Sequence, residues 1–280
     1  VPVEAHGWTS DPFVVREQSG RLYGRGVCDM KGFDAIAINA FAQVAPRATR
    51  PLVLMLSYDE EVGSHGIARM AEQLDPSVLP EEALIGEPTS GQMVTLHKGH
   101  LRFTLNSRGK NAHTAFPQDG LNAIEPLAEA AVLLADLRRT FEQEGGPNAD
   151  RCPEAPFLVL TVALIEGGSA INVVPDAARL GVGVRLLPGV DPEEVESRVR
   201  AHLATLLGEN LWMTRDALSP PMPEHAGMHL RMTLQQMGVS LAPHGAPFGT
   251  DGGMLFQQLR VKSLLWGPGS IQNAHQPDEW

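Results

Sequence analysis

Pro51-Leu52-Val53-Leu54-Met55-Leu56-Ser57-Tyr58-Asp59-Glu60-Glu61 is a continuous apolar run that ends in three consecutive acids. Without polar alternation, the run reads as a strand buried on both faces. Helical patterns flank it, from Asp34 to Val44 and from about Gly66 to Gln73, and a short apolar strand follows at Ala83-Leu84-Ile85. Apolar strands alternating with helices predict a parallel sheet covered on both faces. In such sheets the ligand crevice lies outside the carboxyl ends of the strands, which is where these acids stand.

Beyond residue 94 the pattern changes. A strand at Leu101 to Ser107 leads to a long helix from about Leu121 to Glu142, and Gly145-Gly146-Pro147 breaks the chain. Strands near Phe157 to Ile165 and Ala178 to Leu186 precede a helix from about Pro192 to Leu207. The order strand–helix–strand–strand–helix predicts a split βαβ unit inserted as a small α+β domain. Alternation then returns, with a helix near Leu230 to Met237 and a buried strand at Val261 to Trp266. We therefore expect a catalytic α/β domain in two parts, 1–94 and 210–280, around an inserted domain at 95–209.

Composition narrows the function classes. The 280 residues are 43% hydrophobic and 20% charged, and no apolar run approaches the roughly 18–20 residues of a membrane span. The 22 basic and 33 acidic residues leave a formal charge of −11, which argues against a nucleic-acid binder. Two cysteines, Cys28 and Cys152, make no disulfide scaffold and suit a reducing, cytoplasmic setting.

Carboxylates recur at strand ends. Glu60 and Glu61 follow the first strand, Glu87 follows the second within Gly86-Glu87-Pro88-Thr89, and His275 follows the last strand within Gly267-Pro268-Gly269-Ser270-Ile271-Gln272-Asn273-Ala274-His275. Asp29 precedes a helix in the same half. Any one of these acids alone reads as a helix cap or a solvated residue. Together they form a cluster that needs a cation, and mixed oxygen and imidazole donors suit zinc, with cobalt or manganese as replacements. Neighbouring residues at a strand end point in opposite directions, so one of Glu60 and Glu61 can bind metal while the other faces substrate.

Six ordered motifs resemble the M20 metallopeptidases and deacylases over nearly the whole chain. They are Gly24-Arg25-Gly26 with Asp29-Met30-Lys31-Gly32, Asp59-Glu60-Glu61-Val62-Gly63, Gly86-Glu87-Pro88-Thr89, Asn111-Ala112-His113-Thr114-Ala115, Asn172-Val173-Val174-Pro175 and Ala274-His275-Gln276-Pro277-Asp278-Glu279. The resemblance implies a zinc-peptidase-like three-layer α/β/α domain with an inserted ferredoxin-like lid and dimerisation domain. It implies two zinc ions, with Asp29 bridging both, Glu87 completing one, and Glu61 with His275 completing the other. Glu60 would be the general acid/base. His113, from the small domain or from the partner subunit of a homodimer, would stabilise the oxyanion. Asn172 and Arg185 would hold a substrate carboxylate, and Gly249 and Thr250 would line the pocket. His97-Lys98-Gly99-His100 and the closing motif look most like the acetylornithine deacetylases, which implies release of acetate from N-acetylornithine. A dipeptidase or a succinyl-diaminopimelate desuccinylase-like deacylase is the alternative within this reaction class.

The family pattern also has a His-x-Asp just before the Val-Pro with which this sequence opens. The expectation is a piece of a longer enzyme. Taken alone, the piece is one ligand short, and an inactive remnant that binds or dimerises is the rival from another class. Other features carry less. His225 and His229 stand four apart without an intervening Glu, His97 and His100 read as strand or turn residues, and Cys28 reads as a packed side chain.

Overall fold

A computed structural model describes residues 3, 6–75, 77 and 79–280. Its regular elements are β1 (Arg16–Gln18), β2 (Arg21–Tyr23), α1 (Gly32–Val44), α2 (His65–Gln73), β3 (Glu82–Ile85), β4 (Gly99–Arg108), α3 (Ile124–Glu144), β5 (Val159–Gly167), β6 (Ala177–Leu186), α4 (Pro192–His202), β7 (Leu211–Ser219), α5 (His229–Gln236), α6 (Asp251–Leu259) and β8 (Lys262–Leu265). They divide into two compact units: Val1–Leu96, Met222–Gly245 and Thr250–Trp280 form the first, His97–Pro221 and Ala246–Gly249 the second.

The second unit is an antiparallel sheet in the order β5-β6-β4-β7 with α3 and α4 packed on one face, a ferredoxin-like βαββαβ arrangement. Leu101, Phe103, Leu105 and Ser107 of β4 are buried, as the two-residue period of a sheet covered on one side requires. Leu127, Ala130, Leu134, Leu137 and Phe141 recur every three or four residues and form the facing stripe of α3. Gly145, at φ 67°, follows its last turn. Asp191 caps α4 by accepting from Glu193 N, with Pro192 in the first turn.

The returning segment was expected from residue 210, yet residues 211–219 pair with β4. A bulge at Asp216 hides this strand, because Phe103 pairs with Arg215 while Arg102 pairs with Ala217. Arg215 keeps the phase of Leu211 and Met213 and so stands on the helix-bearing face, where it forms ion pairs with Glu193 and Glu196 of α4. Past the bulge that face passes to Leu218. A charged residue on the covered face erases the alternation on which strand recognition depends.

In the first unit, β3 and β8 pair in parallel from Glu82↔Lys262 to Ile85↔Leu265. Ala83 and Ile85 pack with Ile67 of α2 and with Met254 and Leu255 of α6. Leu84 packs on the other side with Met93, Met228, Leu264 and Leu234 of α5. Alternate residues of one strand thus feed two cores, and the result is an α/β/α layering. Sequence reading missed α6, because Gly252 and Gly253 stand in its first turn. A Cβ on Gly252 would lie 2.7 Å from Met222 Sδ and 3.0 Å from Ile85 Cδ1, so close packing favours glycine there.

The strand read at Pro51–Ser57 does not form. Among the described residues no neighbour makes ladder hydrogen bonds with it, and Leu52, Val53 and Leu56 remain 43–50% exposed. Met55 of this run packs against the core at Ile67. A strand exists through its partners, so an apolar run without a neighbouring strand stays irregular.

Burial in the second unit sets a stability expectation. Leu105 is fully buried at the centre of that core. Leu105→Ala should cost about 2–5 kcal/mol in denaturant unfolding followed by Trp212 fluorescence. The exposed Glu129→Ala on α3 should stay within about 0.5 kcal/mol of the parent protein.

Candidate metal centre

Three short segments of the first unit meet at one histidine. His275 Nε2 stands 3.1 Å from Asp29 Oδ2 and 3.0 Å from Glu61 Oε1. One ligand atom from each residue lies within 4.8 Å of the others, and this is the metal-type cluster found among the described residues. A single ring nitrogen facing two carboxylates is a poor hydrogen-bond arrangement but a natural set of donors around a cation.

None of the three residues sits in a regular element. Asp29 belongs to the irregular turn Val27–Lys31 leading into α1. Glu60 and Glu61 lie in a 3-10 turn, Glu60–Val62, and not at a strand end as the sequence reading expected. Gly66 brings the start of α2 against this turn: its N–H donates to Tyr58 O at 3.1 Å, and a Cβ would lie 2.0 Å from that oxygen. His275 adopts φ 62° after the turn at Ser270. That turn is pinned beside Glu87 by Ser90 N–Gly269 O at 2.7 Å and Ile271 N–Pro88 O at 3.1 Å.

Glu87 follows β3 and is 6% exposed. Gly86 before it must lack a side chain, since a Cβ would fall 1.9 Å from the Phe33 ring. Burial raises the Glu87 carboxyl well above the usual range, and Asp29, Glu60, Glu61 and Asp251 push it further. Glu60 is raised to about 8 by burial, then by Asp251, Glu61 and Asp29. Asp29 is raised by burial and by Glu61, against the lowering effect of His275. Asp251 was not among the expected site residues. It is buried and accepts from Ser57 Oγ at 2.5 Å, and burial raises its carboxyl against the lowering effect of the Ser57 and Ser64 hydroxyls.

These acids border a cleft of about 1380 Å³ whose lining also includes Leu52 to Tyr58 and Ile85. Burial opposes the ionised form of Asp29, Glu60, Glu87 and Asp251, like charge adds to this at the first three, and a divalent cation relieves both. The donor set therefore fits a metal ion.

The other expected residues fall as follows. His113 and Asn172 adjoin in the second unit, with His113 bridged to Val173 and Thr114 N donating to Asn172 O at 3.1 Å. Ala115 N donates to His113 Nδ1 at 3.0 Å, so the ring proton belongs on Nε2 of the exposed ring. Arg185 lies on β6 opposite His100 of β4, and partial burial and Arg102 lower its pKa. Thr250 is fully buried and its hydroxyl caps α6 by accepting from Gly252 N at 3.1 Å. Gly249 packs against Ser219, whose Oγ a Cβ would approach to 2.4 Å.

Comparison with known proteins agrees with this chemistry. The family model for peptidase family M20/M25/M40 matches residues 1–280. Acetylornithine deacetylase of Pectobacterium atrosepticum is 32% identical over 286 residues, covering 100% of this chain and 72% of the relative. An M20 family metallo-carboxypeptidase from Sulfolobus solfataricus superposes with a TM-score of 0.69 at 18% identity, covering 97% of this chain and 76% of the other. A tripeptidase from Staphylococcus aureus gives 0.54 at 20% identity, covering 75% of this chain, which spans 54% of that protein's length. The chain belongs to the M20/M25/M40 peptidase family, whose members are hydrolases that employ a divalent metal.

Several histidines lie outside this chemistry. The His225 ring packs at 4.5 Å from Phe256, while the main-chain N–H of His229 donates to Glu82 Oε1 at 2.8 Å. Burial raises the Cys28 thiol, as expected of a packed side chain. His97 is fully buried, its Nδ1 donates to Lys98 O at 2.9 Å, and burial lowers its pKa from 6.5 to about 4. The unfolded chain therefore takes up this proton first as pH falls. The stabilisation is complete above pH 6.5 and is lost progressively toward pH 4, to a total on the order of 3 kcal/mol. A His97→Asn variant should show a shallower fall in melting temperature than the parent across that window.

Proposed function

We propose that this protein is a two-zinc amidohydrolase that cleaves a small N-acyl amino acid, with N-acetylornithine as substrate and acetate and ornithine as products. The observation that carries this reading is the meeting of Asp29, Glu61 and His275 at one point. The 32% identity to an acetylornithine deacetylase supports the choice of substrate.

Asp29, Glu61, Glu87 and His275 hold the metal in this reading. Bound zinc supplies Lewis acidity, polarising an acyl oxygen and lowering the pKa of water. Cobalt or manganese can take its place. Glu60 accepts a proton from the attacking water and delivers it to the leaving amine. Burial and the neighbouring acids raise this carboxyl and a bound cation lowers it again, so the group is poised to take up a proton and to release it. His113, with its proton on Nε2, donates to the oxyanion that develops at the acyl carbon. Asn172 and Arg185 hold the substrate carboxylate, which the planar guanidinium can meet with two parallel hydrogen bonds. Gly249 contributes to the substrate pocket, and Thr250 shapes it by fixing the start of α6.

A homodimer formed through the second unit belongs to the same reading. There β5 is an edge strand whose Leu164 and Ile165 are 44% and 58% exposed, a surface suited to a second copy. A cytoplasmic setting fits the two unpaired, buried cysteines. No helix among the described residues is long and apolar enough to cross a membrane.

The test uses the full-length protein, metal-loaded and chelator-treated, on N-acetylornithine, N-succinyl-diaminopimelate and dipeptides. Acetate release from the first, abolished by the chelator, is the expected result. Preferential cleavage of either other substrate would reassign the specificity, and absence of metal uptake would favour a non-catalytic binding role. The two neighbouring acids should separate. Glu60→Ala should retain metal and lose at least about 100-fold in kcat. Glu61→Ala should weaken metal binding in a chelator competition. Loss of metal from the Glu60 variant would overturn the division of roles.

A further inference from the structure

The main chain that carries Asp29 is held by a carboxylate 250 residues away in sequence. Glu279 is 1% exposed, and its carboxylate meets four donors. Oε2 accepts from Gly26 N at 3.1 Å and Arg25 Nη1 at 2.9 Å, while Oε1 accepts from Cys28 N at 2.9 Å and Asp29 N at 3.1 Å. An ionised carboxylate has about four lone-pair positions, so this one is fully used. The Glu279 main-chain carbonyl adds a fifth contact by accepting from Gly24 N at 3.0 Å. Residues 24 to 29 are thereby moulded around one side chain.

The arrangement bears directly on the cluster. Asp29 is itself one of the donors, so the Glu279 carboxylate fixes the main chain from which a candidate ligand projects. His275 lies four residues before Glu279, and a single short segment therefore delivers one candidate ligand and anchors another. Local sequence gives Asp29 no such anchor, because its turn has no side-chain cap. Arg25 balances the Glu279 charge in a buried pair, with side chains 6% and 0% exposed, and packs 5.1 Å from the Trp8 ring centroid.

We propose that Glu279 is a positioning residue of the metal centre: it never meets metal or substrate, but sets the place of Asp29 and hence the affinity for a divalent cation. The inference rests on the reading of Asp29 as a ligand. In Glu279→Gln one acceptor oxygen becomes an NH2 group that faces two existing donors. Glu279→Asp keeps the charge but is one methylene too short to reach both pairs.

Two measurements on the full-length protein test the proposal. Hydrogen exchange in the cation-free state should show lost protection at Gly26, Cys28 and Asp29 in Glu279→Gln. Titration with Co2+ followed by absorption should show affinity about 10–100-fold weaker than the parent, the range typical when a partner that orients a ligand is removed. Glu279→Asp should fall between the two, and that ordering serves if the Gln variant fails to fold. Co2+ affinity equal to the parent in a folded variant would overturn the proposal, whatever happens to exchange, because a purely structural brace alters protection alone. If the parent protein takes up no Co2+, the ligand reading itself fails, a result distinct from parent-like binding in the variants.

Discussion

Crowding of like charge is the constraint that shapes the first unit. Burial raises the pKa values of Asp29, Glu60, Glu87 and Asp251, and neighbouring acids push the first three further. A folded chain tolerates this only if something fixes the acids against their repulsion and something compensates their charge. The fixing is visible in main-chain contacts: the turn at Ser270 pinned to residues 88–90, Gly66 N against Tyr58 O, and the Glu279 carboxylate beneath residues 26–29. The compensation is the task that the chemistry of the donor set assigns to a divalent cation. Both demands fall on the same few segments.

The two units therefore solve different problems. The second unit is built from regular pairing, with β4 matched to β6 over ten residues, and its core follows from periodicity. The first keeps little regular structure near the acids and instead places Asp59, Ser64 and His275 at positive φ. Non-glycine residues in this region cost energy, and such residues concentrate where a site must be aimed. Their presence on the turns that flank and carry the cluster fits the view that stability here has been exchanged for placement.

Legibility in the sequence follows the same division. The helices α1, α2 and α3 and the ferredoxin-like order could be read because their apolar residues recur at helix or strand spacing. β7 could not, since the bulge at Asp216 breaks the period and Arg215 occupies the covered face. α6 could not, since two glycines stand in its first turn for reasons of packing against Met222. The run Pro51–Ser57 shows the opposite case, in which composition favours a strand but no neighbour supplies hydrogen bonds. At the site, Asp29, Glu61 and His275 could be picked out as metal-binding residue types after turns or strands. Glu279 and Asp251 could not be assigned roles, because their importance lies in contacts with residues distant along the chain.

Reaction type and substrate choice are unequally encoded for a related physical reason. In the proposed reading the chemistry needs a cation, one proton-transferring carboxyl and a donor for the oxyanion, and each leaves a mark in residue type and spacing. Asn172 and Arg185 would recognise a carboxylate, but N-acetylornithine, succinyl-diaminopimelate and dipeptides all carry one. A contact common to every candidate adds equally to the binding of all and discriminates among none. Discrimination has to arise where the acyl group and the amino-acid side chain meet the protein. There, a buried polar group left unpaired by the wrong substrate is worth far more than an added methylene. Such groups carry no motif, since they are defined by what they face and not by what surrounds them in sequence.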